Sequence, residues 1–181
     1  MTFAEVAVDT PMIDGRTYTY SVPGGISVSE GSAVLVPFGS RQAQGIIYRL
    51  TEEPPGFETR DIFSNIEFTP IIAGRHLLLG KWISEYYMSP LFDALALMLP
   101  PGFRQKLLSF YSVSGYQKDM LGALSQSQDE IVKYLRREGP ADINRVRRKF
   151  GHQVEDLIAD LVQEGFVTRR WSWPRPRISH K

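Results

Sequence analysis

Two hydrophobic periodicities succeed one another along this chain, and their order limits the folds open to it. Up to about residue 66 the apolar residues alternate or run in short β-branched and aromatic stretches. Ala4, Val6 and Val8 share one face, Tyr18, Tyr20 and Val22 another, and residues 33–38, 45–50 and 61–66 form further runs. Turn chemistry separates them at Asp14-Gly15, Pro23-Gly24-Gly25, Glu30-Gly31, Phe38-Gly39-Ser40 and Pro54-Pro55-Gly56. Closely spaced short strands of this kind predict a small curled sheet or barrel. The period then lengthens. Leu77, Leu78, Lys81, Trp82, Glu85 and Tyr86 recur at helical spacing until Pro90, and Leu91, Leu95 and Met98 continue in a second short helix. These helices are placed to cap an open end of the sheet.

Pro100-Pro101-Gly102 marks a domain boundary, because neither prolines nor glycine continue a helix or a central strand. Beyond it, residues 110–114 read as a strand and three helices follow. Ser127-Gln128-Asp129-Glu130 has the form of a capping box for the first. Asp142 can cap the second, which Gly151 closes, and the third carries Val154, Leu157, Ile158, Leu161 and Val162 on one face as far as Gly165. Residues 166–173 then alternate as a strand. Three short helices followed by a strand is the layout of a winged helix-turn-helix. The expected class is α+β: a barrel-like domain capped by helices over 1–102, a winged-helix domain over 103–173, and an extended Pro-Arg-Pro-Arg linker over 174–181.

Charge is divided between the halves. Through Gln105 there are seven Lys/Arg against eleven Asp/Glu, and from Lys106 onward fourteen against nine. A net of −4 therefore precedes a net of +5, concentrated at Arg145, Arg147, Arg148, Lys149, Arg169, Arg170, Arg175 and Arg177. This asymmetry suggests a polyanion-binding surface on the second half, with a solvated charged face as the alternative. The absence of cysteine excludes disulfides, thiolate zinc sites and cysteine nucleophiles. No signal peptide and no membrane-length apolar run is present, so a soluble cytoplasmic protein without membrane contact is expected. No phosphate-binding Gly-x-x-x-x-Gly-Lys-Ser/Thr loop, Asp-Glu-x-His box or Gly-x-Ser-x-Gly elbow occurs. His76, His152 and His180 lack ligand spacing, so no catalytic residue and no metal site is expected in this chain.

Several motifs, in order and at consistent spacing, resemble the N-terminal part of the primosomal protein N-prime family of replication-restart helicases. They are Arg16-Thr17-Tyr18-Thr19-Tyr20-Ser21-Val22-Pro23, Val34-Leu35-Val36-Pro37-Phe38-Gly39, Gly45-Ile46-Ile47, Ser84-Glu85-Tyr86-Tyr87-Met88-Ser89-Pro90-Leu91 and Leu99-Pro100. The resemblance implies a first domain that binds the 3′ end of a nascent leading strand at a stalled or repaired fork, and a second domain that is a winged helix. It implies an end-binding pocket in which the aromatic is Tyr18, the close-approach glycine Gly39 and the basic residue Arg60, with Arg16 and Arg41 as alternates. The family's acid, which accepts from the 3′ hydroxyl, is replaced by Thr19, whose hydroxyl accepts without charge and so more weakly. ATP and zinc belong on this resemblance to the family's helicase portion, a motor running 3′ to 5′. Its partners are forked or 3′-ended DNA and, through the full-length protein, primosome and single-strand-binding proteins.

The residue chemistry fits an end pocket: an aromatic packs on any base, glycine admits a nucleotide to the backbone, and a cation favours phosphate. Tyr18 equally suits a core position and Gly39 a turn. The third helix carries Glu155, Asp156, Asp160 and Glu164, which would repel phosphates, so base reading by that helix is not expected. DNA backbone contacts fall instead to Arg145, Arg147, Arg148 and Lys149 on the second helix and to Arg169 and Arg170 on the wing. Two other classes remain open: a winged-helix transcription regulator with a β-rich sensing or dimerisation domain, and a structural adaptor without DNA affinity.

Overall fold

The computed structural model describes residues 1–10, 17–67, 69–99, 107–114 and 124–173. The Asp14-Gly15 turn, Arg16, the Pro-Pro-Gly boundary and the 174–181 linker lie outside them. The described residues fall into two compact units, one within Met1–Gln105 and the other within Lys106–Pro174.

The first unit contains β1 (Thr2–Val8), β2 (Tyr18–Val22), β3 (Ala33–Phe38), β4 (Arg41–Thr51), β5 (Arg60–Asp61), β6 (Ser64–Asn65), α1 (Gly74–Tyr87) and α2 (Leu91–Ala96). The strands form one six-stranded sheet in the order β5-β2-β1-β4-β3-β6. Only β5 runs parallel to its neighbour, β2. The alternation read from the sequence selects the inner face: Ala4, Val6, Val8, Tyr20, Val34, Val36, Ala43, Ile47 and Ile62 bury one cluster, flanked by Tyr18 and Phe38. A bulge at Glu5/Val6 leaves Tyr48 between the paired Ile47 and Arg49, and bulges of this kind increase strand twist. Curling brings the sheet's edges together. The segment from Arg60 to Asn65 pairs with β2 at its start and with β3 at its end. Between them, the Ile62 N–H donates to Ser21 O at 3.0 Å and the Phe63 N–H to Leu35 O at 2.9 Å. The single strand expected over 61–66 is therefore two short bridges, because its residues serve opposite edges of a half-barrel. Helices α1 and α2 pack on each other, and α2 also packs on β1.

The second unit contains β7 (Leu108–Val113), α3 (Gln126–Glu138), β8 (Ala141–Asp142), α4 (Ile143–Phe150), α5 (Val154–Gln163) and β9 (Val167–Ser172). Its three antiparallel strands are ordered β8-β7-β9, and Ile131, Leu135, Val146, Ile158, Leu161 and Val167 are central in its core. Asp142 caps α4 by accepting from the Arg145 N–H at 3.0 Å, and Gly151 ends it. The cap of α3 lies two residues before the expected one. Ser125 accepts from the Gln128 N–H at 3.3 Å while the Ser125 N–H donates to Gln128 Oε1 at 2.9 Å. The earlier start also lets Leu124 pack against the core, which a cap at Ser127 does not require.

Candidate nucleic-acid interface

In the first unit, contacts across the barrel interior build the candidate site. Strands β2 and β3 are separated in the sheet by β1 and β4, yet Tyr18 meets Phe38 edge to face with ring centroids 5.1 Å apart. The Tyr20 hydroxyl donates to Pro37 O at 3.1 Å, and Arg60 Nη1 donates to Gly39 O at 3.1 Å. Tyr18, Gly39 and Arg60 are thus gathered at one margin of the barrel. Tyr18 is half-buried, and Gly39 and Arg60 are exposed.

Each residue is placed by its element. Gly39 and Ser40 make the two-residue connection between β3 and β4, whose last pair is Phe38 and Arg41. Gly39 has φ 59°, a left-handed conformation that disfavours a side chain, and no atom lies within 4 Å of where its Cβ would be. The backbone there is both open and accessible. Arg60 stands in register with Tyr20, and the buried Ser21 hydroxyl donates to the Asp61 carboxylate, pinning the short strand that carries the guanidinium. Burial pushes the Tyr20 phenol up to about 12, with Tyr18 adding to the rise and Arg60 opposing it.

Thr19 stands apart from these three. It pairs with Glu5 of β1, so strand alternation puts its side chain on the face opposite Tyr18 and Tyr20. On that face Glu5 accepts from Arg49 Nη2 at 2.6 Å. Of the alternates, Arg41 is exposed across from Phe38 at the start of β4, and Arg16 lies outside the described residues. Phe38 and Asp61 were not singled out in the sequence. The signal was present for both, since each adjoins a chosen residue, but their roles depend on contacts between strands distant in sequence.

In the second unit the cations are more committed than their number suggests. Arg145 Nη2 reaches Glu138 at 3.0 Å, Arg147 Nη2 donates to Glu155, and the Lys149 ammonium lies 4.3 Å from the centre of the Tyr134 ring. Arg148 Nε approaches Asn144 O at 3.4 Å within its own helix. Arg169 and Arg170 lie within β9, in the segment expected as a strand, paired with Tyr111 and Phe110. Arg169 stacks over Trp171 at 4.3 Å. Glu155, Asp156, Asp160 and Glu164 are all exposed.

The profile of the PriA 3′ DNA-binding domain matches residues 5–100. The chain is 36% identical over 107 residues to the replication restart protein PriA of Synechocystis sp.. That alignment covers 58% of the chain and 13% of the relative. Identity to the protein of the same name in Bacillus subtilis is 32% over 112 residues, covering 59% of the chain and 14% of the relative. The Haemophilus influenzae protein matches over 179 residues at 26% identity, 92% of the chain and 23% of the relative. The chain therefore spans less than a quarter of the length of these relatives.

Proposed function

The chain belongs to the PriA family of replication restart proteins, and from that membership we propose that its first unit holds the 3′-terminal nucleotide of a DNA strand against Tyr18, Gly39 and Arg60. The observation that carries this reading is the bond from Arg60 to Gly39 O beside the Tyr18–Phe38 edge-to-face pair. It sets a cation, an open stretch of backbone and an aromatic flank within one small neighbourhood. The aromatic flank packs on any base, the glycine admits the sugar to the main chain, and the guanidinium faces the last phosphate. A pocket of this composition recognises an end without reading sequence. It also tolerates an acidic domain, since selectivity comes from one nucleotide rather than from neutralising a long backbone.

In the whole protein this unit orients a 3′ to 5′ motor on the leading-strand end of a stalled or repaired fork. ATP and zinc then serve a helicase portion that the matched stretch does not include, and primosome and single-strand-binding proteins are its partners there.

The second unit is read as a winged helix that contacts duplex backbone. The strand order β8-β7-β9 and the α4–α5 pair support that reading. Its central strand comes first in the chain, so the place where a wing loop would join β9 to β7 is where the chain enters and leaves the unit. The carboxylates of α5 argue against major-groove reading.

Titration of short single strands that differ only in a 3′ hydroxyl or a 3′ phosphate, followed by fluorescence anisotropy, tests the pocket. The two ends are expected to bind with different affinity. Equal affinity removes the end pocket and leaves only general DNA binding.

A further inference from the structure

We infer that the cavity between α4, α5 and the β7–β9 pair seats a backbone phosphodiester of DNA, gripped by Arg147 and Arg169. This deepens the reading of the second unit as a backbone-contacting module and rests on it. The cavity is an open depression of about 490 Å³, and its apolar wall is Ile143, Ala159 and Val162. That volume lies in the range of ligand pockets, whose walls are mostly apolar with a few placed polar groups.

The polar lining is unbalanced toward donors. Among the described residues the buried Arg147 Nε–H has no hydrogen-bond partner, and its Nη2 donates to Glu155. Glu155 is the one carboxylate in the lining, and it is already engaged by that contact. Arg169 enters from β9 across from Tyr111, its guanidinium held over the Trp171 ring at 4.3 Å. Two guanidinium groups against one carboxylate leave an excess positive charge in the lining. The complementary ligand is an oxyanion that brings acceptors and no donors, with an apolar body to cover the wall.

A free phosphate and a phosphodiester share that chemistry, and two features favour the strand. The apolar wall suits the deoxyribose beside a phosphate, for which inorganic phosphate has no counterpart. Asp156 and Asp160 are exposed on α5 and Glu164 is exposed at its C-terminal end, so a strand settles in the groove between α5 and β9 rather than across the helix. The helix that reads bases in an ordinary helix-turn-helix here forms the side of a phosphate groove.

The test uses the full 181-residue chain and a dumbbell duplex closed at both ends, which offers no 3′ terminus. Arg147→Gln and Arg169→Gln are each expected to weaken binding several-fold and to lower the slope of log affinity against log salt by about 1. Glu155→Gln should act in the opposite direction, strengthening binding by freeing Arg147, and it guards against loss of affinity through misfolding. Unchanged affinity and slope in both arginine variants, or weaker binding in Glu155→Gln, overturns the assignment. Titration with inorganic phosphate, read by tryptophan fluorescence, separates the sources. If phosphate saturates the site in an Arg169-dependent manner while dumbbell binding ignores both arginines, the groove is a small-anion pocket and the DNA assignment falls. Discrimination between 3′ hydroxyl and 3′ phosphate on short strands, measured with the same variants, should persist. Its loss or absence bears on the end pocket alone.

Discussion

Tyr18 and Thr19 are neighbours in sequence but occupy opposite faces of β2, and the end-binding reading gives them unequal weight. Tyr18→Ala removes an aromatic flank whose stacking on a base is worth about 1 to 3 kcal/mol, with little dependence on base identity. Thr19→Ala should leave affinity for 3′-ended strands nearly unchanged, because its side chain shares a face with Glu5. Anisotropy titrations of the two variants check this, and an equal loss in both would move the pocket to the Glu5 face. Tyr20 makes a different prediction. Its phenol is raised from 10.0 to about 12, so its folded value lies above its unfolded value. The stability it contributes is complete below the unfolded value and is lost as the pH rises through the interval up to the folded one. Denaturation midpoints should therefore fall in that alkaline window. In Tyr20→Phe this part of the fall should disappear, while stability at neutral pH drops by about 1 kcal/mol through loss of the bond to Pro37 O.

The elements show where local chemistry decides and where packing chooses between local options. Both Ser125-x-x-Gln128 and Ser127-x-x-Glu130 satisfy the capping-box pattern, and the helix adopts the first. Ser125→Ala should destabilise the second unit by about 1 kcal/mol, whereas Ser127→Ala should be close to neutral. Chemical denaturation followed by circular dichroism distinguishes the two, and the reverse order would return the cap to Ser127. Helix α4 shows the same dependence on context. Its sequence offers four cations for phosphate contact, yet Arg145 and Arg147 each meet a carboxylate and Lys149 covers an aromatic ring. Exposed ion pairs of this kind contribute little stability, about 0 to 1 kcal/mol, but they reduce the charge available to a polyanion.

At the scale of the molecule, a barrel-like unit with an acidic surplus precedes a smaller helical unit with a basic one. The chain lacks a phosphate-binding loop, so purified protein is expected to show no DNA-stimulated ATP hydrolysis and no nucleotide-dependent unwinding. Turnover above that of a mock preparation would overturn this reading. Much of the plan was legible in advance. Alternation over Ala4, Val6 and Val8 and over Tyr18, Tyr20 and Val22 picked out the sides of β1 and β2 that face one core cluster; Gly39 marked the hairpin, and Asp142 and Gly151 marked the ends of α4. The Val-Pro-Phe-Gly and Tyr-Tyr-Met-Ser-Pro motifs carried the family. These features are local: a side chain's face and a turn's φ depend on residues a few positions away. The sequence by itself thus determined the order of strands and helices, the two-part division of charge and the family. Only the tertiary structure decided that Arg60 lies beside Gly39, that Tyr18 meets Phe38 across the barrel, and that Arg147 and Arg169 share one cavity. Those outcomes depend on how far the sheet curls and which strands its edges meet, and no periodicity reports a contact made between distant segments.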